Sequence, residues 1–212
     1  MSYIFVVARY NENVDWLHTE KDHCIIYNKG EKLNIENEIL LPNVGRESET
    51  YLHYIITNYD NLPDIIIFTQ AMIEDHREID PLNYLYDLRE EAMLYGKSNS
   101  FMYHYNTKTE NFPNWDSCWT SEWNILEDGS FFLPDNYYQN TPVRFIDWFK
   151  KNVNELYPDP IHIYCNGLFA VRKEIILRRS LDYYQQLILQ VNHHINPVEG
   201  HFFERSWFYI FA

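Results

Sequence analysis

Four groups of residues in this chain are of types that handle a phosphorylated ligand. Ala8-Arg9-Tyr10-Asn11-Glu12 is the first and Asn43-Val44-Gly45-Arg46-Glu47 the second. Thr69-Gln70, with Glu74-Asp75-His76 shortly after, is the third, and His201 with Glu204-Arg205 the fourth. Arginine suits an anion because its planar fork of donors matches phosphate oxygens. Arg9 and Arg46 are the two placed for that task, although a loop arginine serves equally in a surface ion pair. Gly45-Arg46 ahead of a helix offers backbone N–H groups to a phosphate. Glu47 and Glu49 fall in the same first turn; there they repel an anion unless they face away, and they suit the helix dipole with no ligand at all. Asp75-His76 joins a carboxylate to an imidazole, a donor pair for Mn²⁺ or a similar ion that bridges two phosphates. The same pair also makes an ordinary turn or cap.

The elements that must position these groups are readable from apolar spacing. Tyr3–Ala8 is a short, continuously apolar, β-branched run, which predicts a strand buried on both faces. Val14–His18 reads as a short helical segment, and His23–Tyr27 as a second strand ended by the turn Asn28-Lys29-Gly30. A polar stretch follows. Ser48 is then placed to cap a helix with an apolar stripe at Tyr51, Leu52, Ile55, Ile56 and Tyr59. Asn61-Leu62-Pro63 ends it, and Asp64–Phe68 is a third buried strand. This alternation predicts an α/β fold with a mainly parallel central sheet covered by helices on both faces. Ligands of such sheets bind at the carboxyl ends of the strands, where the first and third groups fall.

Beyond that, Pro81–Tyr95 reads as a helix, and Thr141-Pro142 as the start of another leading into Phe145, Trp148 and Phe149. Ile161–Cys165 and Leu168–Val171 read as strands around Asn166-Gly167. Leu181, Tyr184, Leu187, Ile188 and Val191 form a helical stripe, and the chain closes on the apolar segment ERSWFYIFA. No repeat, low-complexity linker or domain boundary interrupts the 212 residues, so one domain is expected.

Charge narrows the partners. The 17 Lys and Arg face 31 Asp and Glu, a formal net charge of −14 with no basic run. A polyanion is held by neutralising its backbone, so broad contact with nucleic acid or an anionic membrane is not expected. A small anion held by one or two arginines and a metal ion remains compatible. The 18 Tyr, 13 Phe and 6 Trp suit a sugar-handling cleft or, more simply, an aromatic core. Cys24, Cys118 and Cys165 match no zinc spacing and read as buried free thiols of a reducing compartment. No signal peptide, Asn-x-Ser/Thr acceptor or membrane-length apolar run is present, which points to the cytoplasm without membrane insertion.

VVARYNENVDWL, IIYNKG and LPNVGRESETYLHYIITNYDNLPDIIIFTQ with its following Asp-His resemble a family known only as a domain of unknown function. So does the closing pattern of Gly200, His201, Glu204, Arg205, Trp207, Ile210 and Phe211. The chain also resembles the nucleotide-diphosphosugar glycosyltransferases, in particular the N-terminal glycosyltransferase domain of the chlorella-virus (chlorovirus) enzymes that build capsid glycans. The likeness runs from about Phe5 to Phe211 and thins between Ser98 and Asp159.

This resemblance implies a GT-A-like fold, a UDP-sugar donor, a glycan acceptor and a Mn²⁺ or Mg²⁺ ion. It implies that Ala8, Arg9 and Tyr10 hold the base and ribose, with Arg46 and Gln70 also in the nucleotide-sugar site. Asn166 and Gly167 would lie beneath the donor sugar. The fold's usual Asp-x-Asp is absent; the equivalent place holds Thr69-Gln70-Ala71 and then Glu74-Asp75-His76. Asp75 and His76 are therefore the expected metal ligands, with His201 completing the shell. An inverting mechanism requires a carboxylate base, for which Glu204 and Asp116 are the candidates. The abrupt apolar ending suggests further domains downstream, and a viral origin would place the protein in the host cytoplasm. Two rivals remain: a metal-dependent phosphoester hydrolase using Asp75, His76 and His201, and a non-catalytic glycan-binding module built on the aromatic residues.

Overall fold

Runs of β-branched and aromatic residues build a five-stranded central sheet. The computed structural model describes residues 1–73, 80–98, 102–105, 145–158, 161–164 and 167–212. In β1 (Tyr3–Arg9), Phe5, Val6 and Val7 are wholly buried, because alternate side chains enter two different cores. Strands β2 (Cys24–Asn28), β3 (Glu38–Leu40) and β4 (Ile65–Gln70) follow. The sheet order is β3-β2-β1-β4-β7, where β7 is Phe169–Arg172. The first four strands run parallel and β7 runs antiparallel to β4. The expected mainly parallel sheet is present, with one reversed strand at its edge.

Helices cover both faces, as the alternation of elements predicts. On one face Val6, Ile66 and Phe68 meet α1 (Arg46–Asn58) and, later in the chain, α3 (Phe145–Asn152), α5 (Leu181–Ile188) and α6 (Val198–Ile210). On the other, Phe5, Val7, Ile65 and Ile67 pack with Leu17 of the 3₁₀ segment Asp15–His23 and with Tyr84, Leu85 and Leu88 of α2 (Pro81–Tyr95). Pro81 opens α2 and Asp80 caps it, accepting from Asn83 N at 3.0 Å, while Gly96 ends it at φ 89°. The short α4 (Lys173–Ile176) follows β7 directly.

The structure fills in several local expectations and corrects one of them, the role of Ser48. The polar stretch after β2 contains β3, three residues carried by pairing with β2 rather than by their own apolar pattern. The strand β6 (Ile161–Tyr164) does not join the central sheet; it pairs antiparallel with β5 (Met102–Tyr105) in a separate two-stranded ribbon. Ser48 is not a cap. Helix α1 begins at Arg46 after Gly45, and Ser48 lies fully buried inside it, its Oγ donating to Gly200 O of α6 at 3.3 Å. The closing apolar segment is most of α6, with Phe203, Trp207 and Phe211 forming a ladder of ring contacts one helical turn apart. Thr141-Pro142, Cys118 and Cys165 lie outside the described residues, while Cys24 is a buried free thiol pushed up to about 11 by burial. Among the described residues no helix is long and apolar enough to cross a membrane.

Two residues set where α1 begins. Gly45 holds φ 65°, and a Cβ there would stand 2.4 Å from the Glu49 Cβ and 2.5 Å from Val191 O. Its N–H donates to His194 O at 2.8 Å, so the backbone at this turn is pressed against the chain leading into α6. Lys29, just past β2, sends its ammonium into the same turn. Nζ lies 2.5 Å from Val44 O, 2.5 Å from Arg46 O and 2.8 Å from Glu49 Oε2, with both side chains almost fully enclosed. Burial pushes the Lys29 pKa below the usual lysine range, and Glu49 pulls it back.

Gly45→Ala should cost about 2 kcal/mol or more, since it adds both a left-handed backbone penalty and a clash. The urea midpoint should drop with an unchanged denaturant slope. Lys29→Met should cost about 3–5 kcal/mol, because Glu49 is left charged and buried without its partner. Adding Glu49→Gln should return much of that loss, a non-additivity read directly from urea melts of the two single variants and the double variant.

Candidate functional site

A cleft of about 570 Å³ opens at the carboxyl ends of β1 and β4. Those strands lie side by side, Ala8 opposite Gln70, and Ala71 N donates to Ala8 O at 2.9 Å. From β1 the chain proceeds to β2 on one side and reaches β4 on the other. This is the switch point of the sheet, where the loops diverge and leave a crevice. Ala8, Arg9, Tyr10 and Glu12 form one wall, Gln70 and Met72 another. Lys29, Asn43, Arg46 and Glu47 close a third side, and Ile195 and Asn196 come from the segment before α6. A larger cleft of about 800 Å³ lies between the 3₁₀ segment, β2 and the loop before β3, but it carries none of the four polar groups.

The first two arginines have different work. Arg9 is buried; its Nε donates to Glu12 O at 2.8 Å, and its Nη1 to Asn28 Oδ1 at 2.7 Å, Glu31 O at 2.9 Å and Tyr10 O at 3.2 Å. The loops after β1 and β2 are tied together by this one guanidinium. Gly30 is needed in the same knot, since a Cβ there would overlap Tyr10 O at 1.6 Å. Arg9 therefore borders the cleft while spending these donors on the loops, which differs from the expectation that it meets a diphosphate.

Arg46 is the cleft's exposed guanidinium, with 43% of its side chain accessible. Its φ is 51°, a left-handed value that a non-glycine residue adopts at a cost of about 1–2 kcal/mol. Strain of this kind gathers where a side chain must be aimed. Nη1 lies 3.1 Å from His201 Nε2, and Nε lies 3.6 Å from Glu47 Oε2. Arg46 thus makes the kind of ion pair open to any loop arginine, with Glu47, and His201 joins it.

His201 sits on α6, buried beside two guanidiniums, since Arg205 Nη1 donates to its backbone carbonyl at 2.7 Å. Burial, Arg46 and Arg205 together hold its imidazole well below the usual histidine range, so the ring is neutral. A guanidinium has donors only. Nε2 is then the acceptor and the proton is on Nδ1, which faces Glu204 Oε2 at 3.9 Å. Glu204 also lies 3.5 Å from Arg205 Nη1. Glu47 faces the cleft from a nearly closed position, its pKa raised by burial, lowered by Arg46 and raised again by Glu204. Gly167, at φ 68°, stands against it: a Cβ there would be 3.7 Å from Glu47 Cγ.

Of the expected site residues, Ala8, Arg9, Tyr10, Arg46 and Gln70 line one cleft, and His201, Glu204 and Gly167 lie next to it through Arg46 and Glu47. Asp75, His76, Asp116 and Asn166 lie outside the described residues. Among the described residues no three His, Cys, Asp or Glu come together as a metal set. His201 does not fit a divalent cation as it stands, because Nε2 accepts from Arg46 and two fixed positive charges flank the ring. Glu12 and Glu47 of the first two groups also line the cleft, and so does Lys29, which belongs to none of the four groups. The Asn28-Lys29-Gly30 turn at the end of a strand was the signal available for Lys29.

Residues 4–212 match the family model described as "Protein of unknown function (DUF3431)". Neither the curated proteins nor the solved structures compared with the chain give a match. With nearly its whole length covered by that model, the chain belongs to the DUF3431 family.

Proposed function

We propose that this protein is a glycosyltransferase of GT-A-like architecture that moves a sugar from a nucleotide diphosphate, UDP by preference, to a glycan hydroxyl. The observation that carries this reading is the position of Arg46: an accessible guanidinium, carried on a left-handed backbone, on the cleft at the sheet's switch point. Tyr10, Met72 and Ile195, all substantially exposed, give the same cleft apolar surface suited to a flat base. The acceptor oxygen forms a bond to the anomeric carbon as the bond from that carbon to the diphosphate oxygen breaks. The electron pair leaves with the diphosphate, where Arg46 stabilises the growing charge. The acceptor's proton passes to a carboxylate. Glu204 and Asp116 are the expected candidates, and Glu47 lines the cleft as a third.

A Mn²⁺ or Mg²⁺ ion would be held through Asp75 and His76 and would supply charge neutralisation to the diphosphate. The hydrolase alternative needs His201 at the ion, and its contact with Arg46 weighs against that.

UDP should raise the melting temperature, with Mn²⁺ the most favourable ion in a panel that includes Mg²⁺ and EDTA. Ligand at 100 times its Kd adds about 2.7 kcal/mol of stability. No shift with any nucleoside diphosphate in any arm would remove the transferase reading. Arg46→Ala should lower turnover about 10²-fold or more. Arg46→Lys should lower turnover more than it lowers UDP affinity, because an ammonium cannot reproduce the fork as charge builds on the leaving group. Unaltered turnover in the Ala variant would strike Arg46 from the site.

A further inference from the structure

Arg46 reaches the cleft from a backbone position that does not by itself aim a long, flexible side chain. Arginine carries about 2 kcal/mol of rotamer entropy, so an anion that meets it must either order it or find it already ordered. Two contacts order it here. Glu47 Oε2 lies 3.6 Å from Nε, on a side chain only 8% exposed. His201 Nε2 lies 3.1 Å from Nη1 and is held by α6. The histidine side chain is 10% exposed, with Glu204 Oε2 3.9 Å from its Nδ1. Glu204, His201 and Arg46 therefore form a line of carboxylate, neutral imidazole and guanidinium that leads from the last helix to the cleft.

We infer that His201 is a positioning residue for Arg46, holding its guanidinium ready for the diphosphate, and not a ligand of a metal ion. This rests on the proposed nucleotide-sugar reading for the identity of the anion, but its chemistry needs only a diphosphate. A neutral ring suits the role, because a protonated Nε2 would turn from acceptor to donor and repel the guanidinium. Burial first, and then the two guanidiniums, disfavour a proton on the ring, and the guanidiniums disfavour a divalent cation for the same electrostatic reason. An acceptor is what the position requires. A glutamine supplies one through its side-chain carbonyl, and a leucine of similar bulk does not.

The test compares the wild-type chain with His201→Gln, His201→Leu, Arg46→Ala and the Arg46→Ala/His201→Leu double variant. UDP and inorganic pyrophosphate are titrated in EDTA, and Mn²⁺ is titrated separately with UDP present. His201→Leu should weaken pyrophosphate and UDP about tenfold in EDTA, the size of one lost charge-assisted hydrogen bond. His201→Gln should recover most of that loss. The double variant should bind no more weakly than Arg46→Ala, because the histidine acts through the arginine. Mn²⁺ affinity should be the same for His201→Gln as for wild type.

A loss of Mn²⁺ affinity in His201→Gln, with UDP affinity in EDTA preserved, would make His201 a metal ligand and overturn the inference. Wild-type affinity for both anions in His201→Leu would overturn it as well. If pyrophosphate binds through Arg46 and UDP does not, the nucleotide reading fails while the positioning role stands. If neither anion binds the wild type, both fail together.

Discussion

An ammonium group with nowhere to go but three oxygens fixes the geometry of this molecule's cleft. Lys29 leaves the end of β2 and is enclosed at once, and its charge is tolerated only because Val44 O, Arg46 O and Glu49 Oε2 converge on it. Those oxygens come from a loop and from the first turn of α1. The helix can therefore start in one place and at one angle. Gly45 supplies the left-handed backbone that brings the two carbonyls to face the same way, and Arg46 accepts a strained φ as the consequence. The exposed arginine of the cleft is thus held, through its own backbone, by a buried lysine.

The opposite wall follows a related rule. Loops after parallel strands carry backbone groups that no sheet satisfies, and these must be paired before they can be packed together. Arg9 and Asn28 do this for the loops after β1 and β2, and Glu38 extends the network by accepting from Asn28 Nδ2, Leu33 N and Asn34 N. Two sides of the cleft are bonded to each other in this way. The cost is that Arg9, though it borders the cleft, is engaged in building it. Placed at 8% exposure, it differs from Arg46 in role although the two are the same residue type.

The last helix is coupled to this region by polar contacts set in an apolar interface. Trp207 meets Tyr51 of α1 and Phe169 of β7 in one aromatic core. On that base, Ser48 Oγ reaches Gly200 O, and Arg46 reaches His201. Hydrophobic burial is non-directional and supplies most of the attraction. The two hydrogen bonds supply register, so that a side chain from near residue 200 meets one from near residue 46. The acidic character of the chain bears on this too. Glu47 and Glu49 at the helix start do not face solvent as a repelling pair; Glu49 is neutralised by Lys29, and Glu47 is turned toward Arg46 and Gly167.

Local chemistry alone determined β1, β2, β4, α1, α2 and α5 to within a few residues. An apolar β-branched run or a helical stripe is a property of neighbouring residues, and burial on two faces or one leaves a readable period. The family-like blocks and the clustering of polar residues at strand ends were legible for the same reason. Tertiary structure decided what periodicity does not encode. Strand β3 has no apolar pattern and exists through its partner, and α6 is apolar around too much of its surface to show a stripe. Ser48 has the chemistry of a cap but is buried within a helix that begins two residues earlier, because Lys29 and Gly45 set the start. The division of labour between Arg9 and Arg46, and the meeting of Arg46 with His201, depend on partners up to 155 residues away. A side chain's hydrogen-bond partner is settled by where the whole fold brings it, and that distance in sequence leaves no local trace.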